Sequence, residues 1–575
     1  MNDLSFTKLK FIPIILFSIL IFQISIASAG TVAPDLQAIL DTSGFTEGIP
    51  VIITFKGRID LKQYADKDRK SRRTRIIRAL REQALLQGTR MRNFTRTRGI
   101  QNIQPLWLIN GMALTVPPDV VQDLANNPEI DEIRLDKVFP LSIVQAARVV
   151  PQAGWNLEAI DAPALWTLGY RGQGVVIGSM DTGVDLNHPD LRDRWRGGVN
   201  SWLDFFPAPG SASNFPYDPD GHGTQTVGLM VGGQASGTAI GVAPDAKWIA
   251  AKIFNDHKFT TSSVLHQAFA WMADPDENPA TDDAPDIVNN SWGFVGEVDQ
   301  CTPDFRTDIE TLKALGIAVV FAAGNEAKIP PGPSSIAPAN DPSSFAVGAV
   351  GDFPYTVASF SSRGPSACDG GIYPELVAPG VLVKTTDLSF GGVSPDPYTV
   401  ISGTSFAAAH VSGVMALLLA AYPNLPLTDP DPNDMENVVN LEDALKDPAS
   451  VLDLGPLGPD NNYGHGLVNA IDAFNLIDLD LDPCAISADV AAQPDASTPG
   501  VPVNFTSAVT GGTPPFAYVW DLDGDKQQDC DTADCVFTYQ SFYAGIIELT
   551  ITDALGCKAY ATQMVNIGIN ILGVV

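Results

Sequence analysis

The chain has 575 residues, too many for one ordinary domain, and a net charge of −31. The charge is uneven: residues 51–137 hold 17 Lys/Arg against 10 Asp/Glu, so residues 1–137 sum to +5 and 138–575 to −36. An acidic body of that size excludes nucleic acid as its main partner, and the basic segment in front of it needs its own explanation.

Residues 1–29 read as a secretory signal: Lys8 and Lys10, an apolar run over Phe11–Ile24, then the small residues Ala27-Ser28-Ala29. The run falls short of the ~20 residues a membrane span needs. The expected protein is therefore secreted or held at the cell surface, with no membrane contact after signal removal. Export permits disulfides. Of six cysteines, Cys301 and Cys368 lie centrally, and Cys484, Cys530, Cys535 and Cys557 lie near the C-terminus. Pairing within each region is expected, with connectivity unread.

Residues 30–145 form the next unit. Ile49–Phe55 alternates and is β-branched, as a strand should be. Ser71–Gln87 places Ile76, Ile77, Leu80 and Ala84 at helical spacing. Its apolar face is expected against its own sheet and its arginines outward. A hairpin is expected around Asn110-Gly111, a short helix in Pro117–Asn127 and a last strand over Ile130–Phe139. The order βαββαβ is ferredoxin-like.

Residues 150–477 alternate differently. Gly174–Met180, Trp248–Phe254, Asp286–Trp292, Gly316–Ala323 and Phe345–Val350 are apolar runs bounded by turns. Runs apolar on both faces imply a parallel sheet covered by helices. Such folds place their sites beyond the carboxyl ends of the strands. Residues 478–483 read as a linker. Residues 484–575 show short alternating strands between Gly/Pro turns, as in a β-sandwich.

Three polar clusters fall at strand or helix ends of the α/β region. Asp181 precedes Thr182-Gly183, His222 opens a probable helix between two glycines, and Ser405 follows Gly403-Thr404. Alone, Ser405 reads as a helix cap. A serine hydroxyl becomes a nucleophile only when a base takes its proton. Histidine has the pKa range for that, and a carboxylate on its far nitrogen fixes the tautomer. Asn325, just past a strand end, could donate its amide to a developing oxyanion, with the Ser405 N–H as second donor.

The stretches "DTGVDLNHPDL", "GHGT", "NNSWG", "AAGN", "VASFSSRGP", "VAPG" and "GTSFAAAHVSG" follow one another in an order that resembles the subtilisin-like serine proteases, or subtilases. The resemblance covers roughly residues 155–475. It implies a secreted serine endopeptidase made as a zymogen, hydrolysing protein or peptide substrates through an acyl-enzyme. Asp181 would orient His222, His222 would be the base, Ser405 the nucleophile and Asn325 the oxyanion donor. Ser291, Trp292 and Gly293, with Ala323 and Gly324, would bind substrate. No cofactor is implied for the chemistry. The alternative is an adhesion or binding protein on a catalytically inactive subtilase scaffold.

Some positions depart from the pattern. Ala409 stands where the family usually has Pro, and Val227 where it usually has Ala; neither touches a reacting group. The loop Gly232–Val242 lacks the asparagine-rich calcium pattern. The interval between Asp181 and His222 carries Trp195, Trp202, Phe205 and Phe206, either a subsite or local packing. His410 reads as a core group and His188 as part of a structural loop. A G-x-S-x-G esterase elbow fails at Ala407.

The basic unit resembles the subtilase propeptide in topology and position, which would make it an inhibitor and chaperone of its own enzyme, cut off within Phe139–Ala153. The C-terminal unit resembles polycystic-kidney-disease-type (PKD) domains through "PPFAYVWDLDGD". Asp521, Asp523, Asp525 and Asp529 offer hard oxygens that would suit structural Ca²⁺, without the EF-hand glycine spacing.

Overall fold

The computed structural model describes residues 30–568, except 43–47, 65–67, 101–102, 142–153, 208–212, 329–330, 427–439, 448–450, 457, 482–485, 495, 512–513 and 555. The expected signal, most of the expected cleavage segment and Cys484 lie outside the described residues.

A nine-stranded sheet organises the central part. Its order is Val451–Leu452, Leu467–Val468, Leu376–Pro379, Phe345–Val350, Ala318–Ala322, Ile287–Asn290, Val176–Asp181, Lys247–Lys252, Trp202–Asp204. Neighbours are parallel except at the Val451–Leu452 edge. Successive side chains leave a strand on opposite faces. Ile287 and Val320 join one core, with Val227 and Leu229 of the His222–Val231 helix and Val411 and Val414 of the Thr404–Ala421 helix. Val288, Val319 and Phe321 join the other, with Leu265 and Phe269 of the Ser262–Ala273 helix and Ile309 and Leu312 of the Arg306–Ala314 helix. Burial on both faces is why these strands read as continuous apolar runs. The Thr404–Ala421 helix alone among the described residues is long and apolar enough to cross a membrane, and its apolar window is 89% buried in the protein.

The aromatic insertion becomes the edge strand Trp202–Asp204. Trp202 is buried and Trp195 packs on Trp248 at 6.3 Å between ring centres, so these rings serve local packing. Val227 and Ala409 are both fully buried in the same core.

The N-terminal sheet runs Thr31–Val32, Ile130–Leu135, Ile49–Phe55, Gly111–Val116, Gln104–Leu106. Asn110 turns the hairpin in the left-handed region, φ 52°, which Asn tolerates best among residues with a side chain. The expected last strand splits: Ile130–Leu135 stays in this sheet, while Val138–Pro140 leaves it and pairs antiparallel with Phe259–Thr261 of the central part.

The basic helix spans Arg69–Thr97 and departs from expectation. Ile76, Ile77 and Leu80 do not pack on the N-terminal sheet; they join the core beneath Ile309 and Leu312. Only further along does Met91 enter the N-terminal core, beside Val51 and Leu114. The arginines follow the apolar residues inward. Arg73 is 3% exposed; its guanidinium pairs with Asp282 at 2.8 Å and donates to the carbonyls of Leu315, Pro285 and Gly316 at 2.8, 3.1 and 3.2 Å. Arg69 pairs with Asp286 and Arg81 with Asp274. Burial and then the neighbouring Arg69 pull the Arg73 pKa down, and only Asp282 and Asp286 oppose them.

In the C-terminal part, a three-stranded sheet and a four-stranded sheet share one core that includes Phe505, Trp520, Ile547 and Val565. The expected linker 478–483 is corrected at its start. The helix Ala470–Leu481, anchored by the buried Ala473 and Ile477, continues into it as far as Leu481. Cys301–Cys368 and Cys530–Cys535 are bridged, and Cys557 is also disulfide-bonded.

Candidate active site

Asp181 is the last residue of its strand and is 2% exposed. His222 is the first residue of its helix, and its Nδ1 lies 2.8 and 3.0 Å from the two Asp181 oxygens. With Nδ1–H donating to the carboxylate, Nε2 is left as the acceptor, the tautomer a base needs. Burial alone would lower the His222 pKa; Asp181, with Asp220 and Asp218 behind it, outweighs burial and raises it. Gly223 lets the two elements meet, because a Cβ there would lie 2.1 Å from the Gly183 carbonyl oxygen and 3.1 Å from Asp181 Cβ.

Ser405 sits in the first turn of its helix. Its hydroxyl donates to the Ser291 carbonyl at 3.1 Å, and the Ser291 hydroxyl donates back to the Ser405 carbonyl at 2.8 Å. The structure thus brings Asp181 and His222 into direct contact. Phe406, the residue after Ser405, has its ring centre 5.8 Å from that of His222. A hydroxyl–imidazole bond between Ser405 and His222 would be of the kind that commonly tightens only with substrate bound.

Asn325 is fixed by Thr404. Its Oδ1 accepts from the Thr404 N–H at 3.0 Å and from the Thr404 hydroxyl at 3.1 Å. With Oδ1 so occupied, Nδ2 is the free end of the amide. The Thr404 hydroxyl also accepts from Gly324 N–H at 3.1 Å, tying the Ala323–Asn325 segment to the Ser405 helix. Asn289 donates to the Ser291 hydroxyl and accepts from Ser412, which holds the other segment to the same helix. Trp292 is 4% exposed among Phe269, Phe294, Phe305 and Phe321.

Three residues outside the expected set matter here. Asp218 caps the His222 helix by accepting from the N–H and hydroxyl of Thr224 at 2.9 and 2.7 Å. An acid just ahead of a helix start was the available signal. Thr404 lay inside the motif without a role. Tyr373, whose hydroxyl donates to the Ala323 carbonyl, carried no signal. His410 and His188 are core groups. His410 donates from Nδ1 to the Phe406 carbonyl and accepts from Asn156, and burial pulls its pKa down to about 4. His188 pairs with the Pro397 carbonyl and the Asp190 N–H.

Two acidic groups place their oxygens within 4.8 Å of one another: Asp274, Asp276 and Asp283, and Asp521, Asp523 and Asp525. The first already carries Arg81. Asp529 accepts from Leu522 N–H, and burial, then the neighbouring Asp523, Asp521 and Asp525 charges, raise its pKa.

Glu375 yields a pH prediction. It is partly buried just ahead of the Leu376–Pro379 strand, accepts from Ala346 N–H at 2.6 Å, and desolvation pushes its pKa from 4.5 up to about 8. The unfolded carboxyl ionises above about 4.3 while the folded one stays neutral. Its contribution is therefore complete in acid and fades as pH rises from about 4.5 to about 8. Glu375→Gln in the Ser405→Ala background should melt progressively higher than its parent as pH goes from 5 to 8, by a few kcal/mol in stability. Melting curves with a constant difference across that range would refute this.

A profile of the subtilase family matches residues 172–466, just over half of the chain. Bacillopeptidase F of Bacillus subtilis (strain 168) is 36% identical over 444 residues, which are 72% of this chain but 29% of that protein. The chain thus spans under a third of that relative's length. Subtilisin E of the same strain is 29% identical over 361 residues, 63% of this chain and 80% of the relative. Subtilisin DY of Bacillus licheniformis is 30% identical over 323 residues, 56% of this chain and 98% of the relative. Matches of this extent on a sheet of this kind define a serine-type endopeptidase. The chain belongs to the subtilase family.

Proposed function

We propose that the chain is made as an inactive precursor, is exported, cuts itself, and then hydrolyses peptide bonds of protein substrates through Asp181, His222 and Ser405. Ser405 Oγ bonds to the scissile carbonyl carbon while its proton passes to His222 Nε2. The carbon–nitrogen bond breaks as His222 returns that proton to the leaving amine. Water then repeats the sequence and releases the acyl group. Asp181 holds the imidazole and stabilises its charged form. The carbonyl oxygen becomes negative between Asn325 Nδ2 and the Ser405 N–H, both fixed in advance, so no reorganisation is needed at that moment.

The observation that carries this reading is the buried His222–Asp181 pair facing a serine helix whose first turn already orients Asn325. The precursor reading is supported by Val138–Pro140. That strand lies antiparallel to Phe259–Thr261, and Phe139 stacks on Phe294, next to Trp292, with ring centres 3.7 Å apart. An extended segment paired in this way is what an inhibitory pro-segment would present to its enzyme. The C-terminal unit fits a PKD-type binding or spacer module. Asp521, Asp523 and Asp525, with Asp529 close enough to feel their charge, would suit a hard structural cation there.

Release of azocasein peptides by the processed protein, abolished by a serine-directed fluorophosphonate, tests the activity. No release from a processed sample would favour an inactive scaffold. Asn325→Ala should keep fluorophosphonate labelling yet lose about 10²–10³ in kcat; an unchanged kcat would remove Asn325 from the mechanism.

A further inference from the structure

The backbone of the Ala323–Asn325 segment is held at five points. Ala323 N–H donates to the Val347 carbonyl at 3.0 Å, Gly324 N–H to the Thr404 hydroxyl at 3.1 Å and Asn325 N–H to Glu326 Oε2 at 2.6 Å. The Gly324 carbonyl accepts from Ser362 N–H at 2.9 Å. The Ala323 carbonyl accepts from the Tyr373 hydroxyl. Thr404 and Ser362 belong to the stretches singled out in the sequence; Tyr373 belongs to none of them. It is 1% exposed, and its hydroxyl also accepts weakly from Ile336 N–H at 3.5 Å. Burial pushes the phenol pKa well up, so the hydroxyl keeps its proton and remains a donor. Tyr373 is itself fixed. Its carbonyl accepts from Gly364 N–H at 2.8 Å, and its N–H donates to Asn461 Oδ1 at 3.3 Å. The loop that leads to it is fastened by the Ser366 hydroxyl, which donates to the Asn340 carbonyl at 2.7 Å, and by the Cys301–Cys368 bridge.

We propose that Tyr373 is a positioning residue of the reaction: through the Ala323 carbonyl it fixes the Ala323–Asn325 segment, and with it the Asn325 amide, against the Ser405 helix. The inference rests on the reading of Asn325 as oxyanion donor given above. The physical reason is that such a donor works only if it is already in place when the charge develops. Thr404 holds the Oδ1 end of the amide. The place of Nδ2 depends as well on the backbone that carries the side chain. Without the Tyr373 hydroxyl, a buried carbonyl loses its donor, which costs about 1–3 kcal/mol. The segment relieves that cost by shifting, or by drawing in water. A misplacement of about 1 Å at a reacting group costs up to about 10² in rate.

The test is azocasein hydrolysis by Tyr373→Phe, Asn325→Ala and the double variant, each as processed full-chain protein. Active sites are counted by fluorophosphonate labelling, so that any unfolded fraction drops out. Tyr373→Phe should lower kcat per active site by about tenfold and leave the apparent KM within about twofold. Added to Asn325→Ala, the same change should lower kcat by less than about twofold, because the donor it positions is already gone. A residue that served stability alone would leave kcat per active site unmoved, or would act equally in both backgrounds; either result overturns the proposal. If Tyr373→Phe does not process itself, the melting curve of the Ser405→Ala precursor with and without Tyr373→Phe decides. A precursor that keeps its fold but does not cut itself supports the proposal, and one that loses its fold overturns it. The two levels fail separately. If Asn325→Ala lowers kcat and Tyr373→Phe does not, only the role of Tyr373 falls. If Asn325→Ala leaves kcat unchanged, the oxyanion reading falls and this inference with it.

Discussion

Replacing Ser405 by alanine is expected to leave the chain uncut between its N-terminal and catalytic parts in a protease-deficient host, and to abolish azocasein hydrolysis. Losing one member of a nucleophile–base unit costs about 10⁶ in kcat. The variant also isolates catalysis from folding. The Ser405 hydroxyl makes one hydrogen bond, to the Ser291 carbonyl, and a bond of that kind contributes about 1 kcal/mol. The melting temperature should therefore barely move while processing disappears. Electrophoresis and N-terminal sequencing beside a melting curve read both. Normal processing of the alanine variant, or a collapse of stability large enough to explain its loss, would count against Ser405 as nucleophile. His222→Ala should behave the same way.

Replacing Arg73 by alanine is expected to speed loss of the cleaved N-terminal part from the catalytic part by about 10²–10³-fold, since breaking a buried ion pair costs 3–5 kcal/mol. The change strands Asp282 and three backbone carbonyls that Arg73 alone reaches from the helix. Arg78, exposed on the same helix, is the control and should have little effect. The readout is the lag before activity appears after dilution of freshly processed enzyme. Exposed charges would make that lag strongly salt-dependent, because screening acts within ~10 Å at 0.1 M salt. Buried pairs respond far less. A lag that shortens greatly between 0.05 and 1 M NaCl (~30 Å down to ~3 Å of screening), with no effect of Arg73→Ala, would show that solvated charges hold the two parts together.

That second case marks where sequence reading stopped. Ile76, Ile77 and Leu80 have the same spacing whether a helix covers its own sheet or a neighbour, so periodicity named the face and not its partner. The central strands were legible because double-faced burial forces uninterrupted apolar runs. The Trp202–Asp204 edge strand was not, because three residues carry no period. Asp181, His222, Ser405 and Asn325 could be singled out as candidates because groups proposed to react need particular chemistry beside glycine at strand and helix ends. The helix Ala470–Leu481 was misread past residue 477 because alternating Leu and Asp resemble an extended segment.

The Cys301–Cys368 bridge spans a separation of 67 residues, within which fall Gly324, Asn325 and Ile336. Closing a loop of that size stabilises by about 4 kcal/mol in the chain-entropy account. A protease concentrated outside a cell also digests its own copies, and loops around a cleft are cut first. A nick anywhere between the two cysteines would leave the severed ends on one covalent frame. If the chain is exported and cuts proteins as proposed, the bridge would let it outlast its own autolysis at the stretch where damage would otherwise disarm it.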